Sequence, residues 1–296
     1  MLAAHWGSLD CQVPCLALRK LESIMHRTTD RSQSNLQSRP RKQEFDQTYE
    51  TFINGKDFLE YNEYYNIEKS RYWHTLKHYC DLNLPISADV LEIGGGQLAI
   101  LANKLLGHKA VVGDVSKEYD KSIAEADIHH VVCNLIDDDP PEFYGRFDVV
   151  ALLEVIEHIP LPGYVVLSKV AKWLKPGGYV LITTPNVFRL RNLARMVQGK
   201  DFFDFFTYPQ PGQGLGHQLE YSAVHLRWQI ERAGLEVVDI IHDQLGQTGH
   251  SRFARAARLL TAPLRLRKKW REELVAIARF PATASTGSSS DSNFES

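Results

Sequence analysis

Cysteine is scarce in this chain. Four cysteines in 296 residues, Cys11, Cys15, Cys80 and Cys133, are too few and too scattered for a disulfide framework, and Cys11 with Cys15 lacks the C-x-x-C spacing of a redox or zinc motif. No metal site is expected. Long apolar runs are missing as well: the longest, VVALLEVI from Val149, is the length of a strand and is broken by Glu154, far short of the roughly eighteen residues of a membrane span. The formal net charge of −2 gives no global pull toward nucleic acid. Nor does the chain contain an Asn-Pro-Pro-Tyr or Asp-Pro-Pro-Tyr signature for a flipped base, only TTPN at Thr183–Asn186, so no nucleic-acid partner is expected. The first forty residues lack the charged, apolar and cleavage regions of a secretory signal, and a reducing cytoplasm is the expected location.

What is present is an ordinary globular balance of 44% apolar and 24% charged residues. A polar leader over 1–43 and a Ser-rich tail over 282–296 are expected to be disordered, with a helical cap over 44–86 between leader and sheet. From Ala88 short apolar runs alternate with amphipathic ones, which predicts an α/β Rossmann-like, mostly parallel sheet with helices on both faces over 87–245. Strands are predicted at Val90–Ile93, Ala110–Gly113, His130–Asn134, Asp148–Leu153, Tyr179–Thr184 and Glu236–His242. Helices fall at Gln97–Leu106, Lys117–Ala126, Gly163–Trp173 and Ser222–Ala233. LKPGG at Leu174–Gly178 supplies a helix stop and a sharp turn, and Gly234 repeats the device. The Gly-, Pro- and aromatic-rich insertion over 185–220 reads as a lid or substrate loop.

The central motif is VLEIGGGQLAILANKLLG, Val90 to Gly107: a strand, a glycine cluster, then a helix. Gly94-x-Gly96-x-x-Ala99, with Asp114 about twenty residues on, fits the dinucleotide fingerprint. The glycines let backbone approach a ligand, and an acid at the second strand end accepts two hydrogen bonds from a ribose diol. That pattern alone fits either NAD or S-adenosylmethionine. Glu92 separates them: a carboxylate two residues before the first glycine repels a pyrophosphate and favours a cationic ligand.

VLEIGGGQLAILANKL, VVGDVS, FDVVALLEVIEHI and WLKPGGYVLITTPN, in that order, resemble the motif set of the class I S-adenosylmethionine-dependent methyltransferases, in the branch that includes ubiquinone-pathway and small-molecule methyltransferases. The resemblance covers Val90 to His242. It implies that Glu92, Gly94, Gly95 and Gly96 line the methionine moiety, that Asp114 and Val115 meet the ribose, that Asn134 and Leu135 flank the adenine, and that Glu154 faces the methyl-transfer side. Gly95 departs from the commoner Cys or Ser, and Ala99 is larger than Gly. The family's antiparallel seventh strand has no counterpart in DQLGQTGHSRFARAARLL, so it is expected to be displaced or missing.

Transfer of a sulfonium methyl to a hydroxyl needs a positioned acceptor and a place for its proton. EVIEHIP puts Glu154 and His158 four residues apart, on one face if the segment is helical, and His158 is the candidate base alongside Glu154. The bland alternative is a histidine packing a helix start. GHQLEYS adds His217, Glu220 and Tyr221 as acceptor-side candidates, although Ser222 also reads as an N-cap and Tyr221 as a hydrophobic staple. The expected acceptor is a small molecule, a glycan or a lipid-linked precursor. An NAD-dependent oxidoreductase and a non-catalytic adenosyl-binding module are the competing readings. Last, Arg252–Arg271 carries eight Lys or Arg and no acid, and Leu266, Trp270, Leu274 and Ile277 share a helical stripe. This predicts a basic amphipathic helical extension over 246–281, either touching anionic lipid or an acidic partner through 252–280, or docked on its own domain.

Overall fold

The computed structural model describes residues 39–58, 62–117, 120–203, 216–245, 263 and 267–282. Two helices precede the sheet: α1 (Lys42–Phe52), which begins inside the span expected to be disordered leader, and α2 (Asn62–Cys80). Then follow β1 (Asp89–Ile93), α3 (Gln97–Leu106), β2 (Lys109–Asp114), α4 (Asp120–Glu125), β3 (His129–Val132) and β4 (Phe147–Leu153). The second half runs α5 (Gly163–Trp173), β5 (Leu174–Pro185), α6 (Leu190–Val197), α7 (Ala223–Arg232), β6 (Glu236–Asp243) and β7 (Glu273–Arg279). Single 3-10 turns sit at Pro141–Phe143, Ile156–His158 and Lys268–Trp270.

The strands form one seven-stranded sheet in the order β3-β2-β1-β4-β5-β7-β6, with only β7 antiparallel to its neighbours. Alternation along each strand sends side chains to two cores. Val90, Val149, Val275 and Ile277 pack beneath α1–α4 with Phe45, Tyr49, Leu76 and Ile123. Leu91, Ile93, Val150 and Ala276 pack on the other face with Trp173 of α5 and Leu226 and Ile230 of α7. The result is a three-layer arrangement in which the C-terminal ends of β1, β2 and β4 open onto the reversal of strand order, where α/β sheets bind ligands.

Three expectations change. Glu273–Arg279 is not part of a helix: it is the antiparallel seventh strand, and every residue from Glu273 to Ala278 is buried. Leu274 and Ile277 fit a helical stripe, but they belong to an unbroken apolar run, Leu274–Ala278, and β-branched Val275 and Ile277 suit a strand covered on both faces. That strand therefore offers no surface to a membrane, and the rest of the expected extension, 246–262 and 264–266, lies outside the described residues. LKPGG belongs to β5 itself, with Gly177 at φ +81° and a register shift beside Phe147. Asn134 has left β3 and forms a side-chain turn, its Oδ1 accepting the Ile136 N–H at 3.0 Å. No described helix is long and apolar enough to cross a membrane.

Candidate functional site

β1 delivers the chain into Gly94, Gly95 and Gly96, at φ +81°, +69° and +90°, a left-handed run that residues with a Cβ adopt only under strain. A Cβ on Gly94 would stand 2.9 Å from Val155 Cγ2, and one on Gly96 would stand 2.7 Å from Ile123 Cδ1. Gly96 is thus required by packing against α4 as well as by the turn. Helix α3 starts immediately after, with Gly96 at the N-cap and no side-chain cap.

Glu92 supplies what the cap lacks. Its side chain is only 1% exposed, and Oε2 accepts the Ala99 N–H at 2.6 Å. A carboxylate at a helix N-terminus is favourable, and here it occupies amides that would otherwise take a phosphate. Burial pushes its carboxyl up to about 8 against the pull of the Ala99, Leu98 and Gly96 amides.

A cleft of about 320 Å³, which includes open solvent, lies over this turn, lined by Glu92, Gly94, Gly95, Gln97, Leu153, Glu154 and Thr183 below and by Arg71, Tyr72 and Thr75 of α2 above. Glu154 follows β4 at φ +55°, a strained position of roughly 1–3 kcal/mol, with its N–H bonded to the Thr183 carbonyl at 3.0 Å. Its Oε1 and the Gln97 Nε2 are buried without a hydrogen-bond partner among the described residues. Arg71 closes the far side. Its guanidinium lies 3.8 Å from Glu154 and 3.9 Å from Glu68, donates to the Tyr64 hydroxyl, and packs 5.4 Å from the Tyr72 ring centre. Sequence reading took the aromatic helix as a cap and missed this residue. The available signal was that α2 contains a single arginine, immediately before Tyr72 and nearly two turns after the Tyr64–Tyr65 pair.

The other expected residues fall in different places. Asp114 ends β2, accepts the Ser116 N–H at 2.8 Å, and directs Oδ2 toward Gly94, 3.9 Å from its Cβ position. Val115 is 65% exposed beside it. Asn134 and Leu135 are spent on their own turn, Asn134 bonding Asp137 and Asp138 at 3.0 and 2.7 Å while Leu135 is buried. Neither lines the cleft.

Glu154 and His158 do not share a helical face, because the left-handed Glu154 breaks the chain before the 3-10 turn at Ile156–His158. Instead His158 meets His217 edge to face, with ring centres 4.8 Å apart. Gln218 N–H and Leu219 N–H hold the two segments together by donating to the Glu157 carbonyl at 2.6 and 3.2 Å. Fully buried Glu157 accepts from Thr184 Oγ1 at 3.0 Å, and burial with neighbouring Glu154 pushes its carboxyl well above the usual range. Atoms of Glu157, His158 and His217 come within 4.8 Å of one another, a grouping of metal-ligating residue types that their sequence spacing conceals. Glu220 accepts from Arg189 and from Asn192 Nδ2 at 2.6 Å, and its Oε1 lies 3.3 Å from His217 Nδ1. Tyr221 does not join this wall. It is 0% exposed in the core under α5 and α7, its ring 5.3 Å from His225, while Ser222 caps α7 by accepting the His225 N–H.

With this geometry in view, comparison with known proteins defines the class. The profile of a family described as a methyltransferase domain matches residues 61–240, more than half of the chain, and the chain belongs to that family of S-adenosylmethionine-dependent methyltransferases. The ubiquinone biosynthesis O-methyltransferase of Thiobacillus denitrificans is 33% identical over 36% of this chain and 48% of its own length. The enzyme of that name from Chromobacterium violaceum is 32% identical over 33% of this chain and 44% of its own length. The chain thus spans under half the length of each. A solved SAM-dependent methyltransferase from Archaeoglobus fulgidus superposes with a TM-score of 0.50 at 19% identity, over 72% of this chain and 96% of its own, a likeness of fold. The NAD-dependent reading falls with the family match and with Glu92 on the amides a pyrophosphate would need.

The cleft's donor set fits S-adenosylmethionine. Arg71 suits the methionine carboxylate, Glu92 and Glu154 Oε1, which has no hydrogen-bond partner among the described residues, suit an ammonium, and Asp114, outside the cleft lining but next to Gly94, suits a ribose diol.

Proposed function

We propose that this protein transfers the methyl group of S-adenosylmethionine to a hydroxyl oxygen of a small molecule or of a glycan- or lipid-linked precursor. The cofactor supplies an electrophilic methyl on a sulfonium; the chain supplies placement and proton transfer. Arg71, Glu92, Gly94, Gly95 and Glu154 hold the methionine end and Asp114 the ribose. Gly96 fixes the turn and Val115 flanks the ribose, whereas Asn134 and Leu135, engaged in their own turn, give no support to an adenine contact.

On the acceptor side His158 takes the hydroxyl proton as general base, while His217 packs against its ring with Glu220 beside His217 Nδ1. Support for oxygen over other acceptor atoms comes from these two imidazoles next to buried carboxylates and from the name of the partly matching relatives.

The observation that carries the reading is the cleft itself: a buried acid on the α3 amides, an arginine opposite, and two polar atoms with no hydrogen-bond partner among the described residues. Thermal denaturation with S-adenosylhomocysteine and with NAD tests it. S-adenosylhomocysteine at about a hundredfold over its Kd should stabilise the fold by about 2.7 kcal/mol. Stabilisation by NAD alone would sink the proposal. Release of S-adenosylhomocysteine across a panel of phenols and polyols then separates an enzyme from a non-catalytic adenosyl-binding module.

A further inference from the structure

Helix α6 is oriented against the usual rule for a surface helix. At its start it buries polar groups, Arg189 at 5% and Asn192 at 1% exposure, while Met196 and Val197 near its end are 52% and 88% exposed. The polar face is inward because Glu220 is buried there and takes both Arg189 and Asn192. Leu190 and Leu193 are half-buried, and Val197, four residues on, carries their stripe out into solvent. Phe188 just before the helix and Phe203 just after it are 49% and 64% exposed.

The charge around this apolar face is predominantly of one sign, with exposed Asp201 the one acid between Phe188 and Phe203. From Asn186 to Lys200 there is no acid, and Arg191, Arg195 and Lys200 are all exposed. Exposed apolar side chains flanked by cations match the interface of an anionic bilayer, in which the apolar groups enter the headgroup boundary and the cations meet phosphates. A soluble acidic partner would satisfy the arginines but gives no reason for exposing Val197 and Phe203 together.

We infer that α6 and its flanks, Phe188 to Phe203, dock this protein on anionic lipid. The surface is distinct from the C-terminal segment singled out by charge in the sequence, whose Leu274 and Ile277 are interior. Docking is tied to the acceptor-side wall, since Arg189 at the head of the helix grips Glu220, which lies beside His217.

Sedimentation of the full chain with phosphatidylcholine vesicles, with and without phosphatidylglycerol, tests this without requiring any methyl transfer. Binding should need phosphatidylglycerol and weaken with salt. Met196→Glu with Val197→Glu should reduce it at least about tenfold. Arg195→Glu with Lys200→Glu should reduce it about fivefold or more per charge. Both variants should keep the thermal shift with S-adenosylhomocysteine, which shows that they fold. The inference is overturned if the parent chain does not bind, or if both variants bind undiminished while Arg252→Ala, Arg255→Ala and Arg258→Ala together abolish binding. It is also overturned if the face is covered by a second copy, seen as a dimer in light scattering that Met196→Glu with Val197→Glu dissociates.

Discussion

The wall proposed to meet the cofactor and the wall around His158 are assembled in different ways. The first is built around one stretch nearly continuous in sequence, Glu92, the three glycines and Ala99 being one strand, one turn and one helix start, to which β2 adds Asp114, the end of β4 adds Glu154 and α2 adds Arg71. The second draws Glu157 and His158 from the turn after β4, Arg189 from the residue preceding α6, Asn192 from α6, and His217 and Glu220 from the segment before α7. A wall made of neighbours is fixed by local geometry. A wall made of distant pieces depends on a few buried polar contacts, so the two should fail differently.

The largest expected effect is on the second wall. His158→Ala should lower turnover by about a hundredfold to ten-thousandfold while leaving the S-adenosylhomocysteine Kd within about twofold. Full turnover in that variant would remove the base assignment. Next comes the anchor between the distant pieces. Arg189→Met leaves Glu220 buried without its cation and should cost about 3–5 kcal/mol in chemical denaturation, whereas Arg189→Met with Glu220→Leu should recover much of it. Neither variant should alter cofactor affinity once folded, if the walls are independent.

On the first wall, Gly96→Ala should cost about 1–3 kcal/mol from the left-handed backbone and the clash with Ile123, and cofactor affinity should fall with it. Glu92 gives a subtler readout. Its folded pKa of about 8 lies above the ordinary 4.5, so its neutral form stabilises the ligand-free fold at low pH, and that contribution is lost as pH rises through about 8. An arriving ammonium favours the carboxylate, so binding of S-adenosylhomocysteine near neutral pH should release a proton. Calorimetry in buffers of different ionisation enthalpy reads this directly, and Glu92→Gln should remove the buffer dependence and weaken binding by about tenfold.

The smallest effect concerns how the cap is fastened. His78 on α2 lies 2.7 Å from Asp243 at the end of β6, holding that carboxyl down to about 2 from its ordinary 3.8. The pair's stabilisation is complete above the ordinary value and lost as pH falls through about 2. His78→Ala should therefore cost about 1 kcal/mol or less at neutral pH, less still in salt, and shift acid unfolding upward.

The sequence by itself determined the sheet's first six strands, the glycine turn and the acid at its strand end, because each rests on a periodicity or a turn chemistry written within a few residues. α3 and α5 run over the residues that periodicity assigns, and Ser222 caps α7 as its type suggests. Tertiary structure alone decided the rest. Leu274–Ala278 is apolar at every position, so neither period is visible, and only the slot between β5 and β6 makes it a strand. Arg71 became part of the site because α2 crosses the mouth of the cleft, and His158 met His217 because Glu157 and Gln218 join two loops through the backbone. Such contacts close long loops, and the free energy that closes them comes from packing and buried hydrogen bonds that no local pattern encodes.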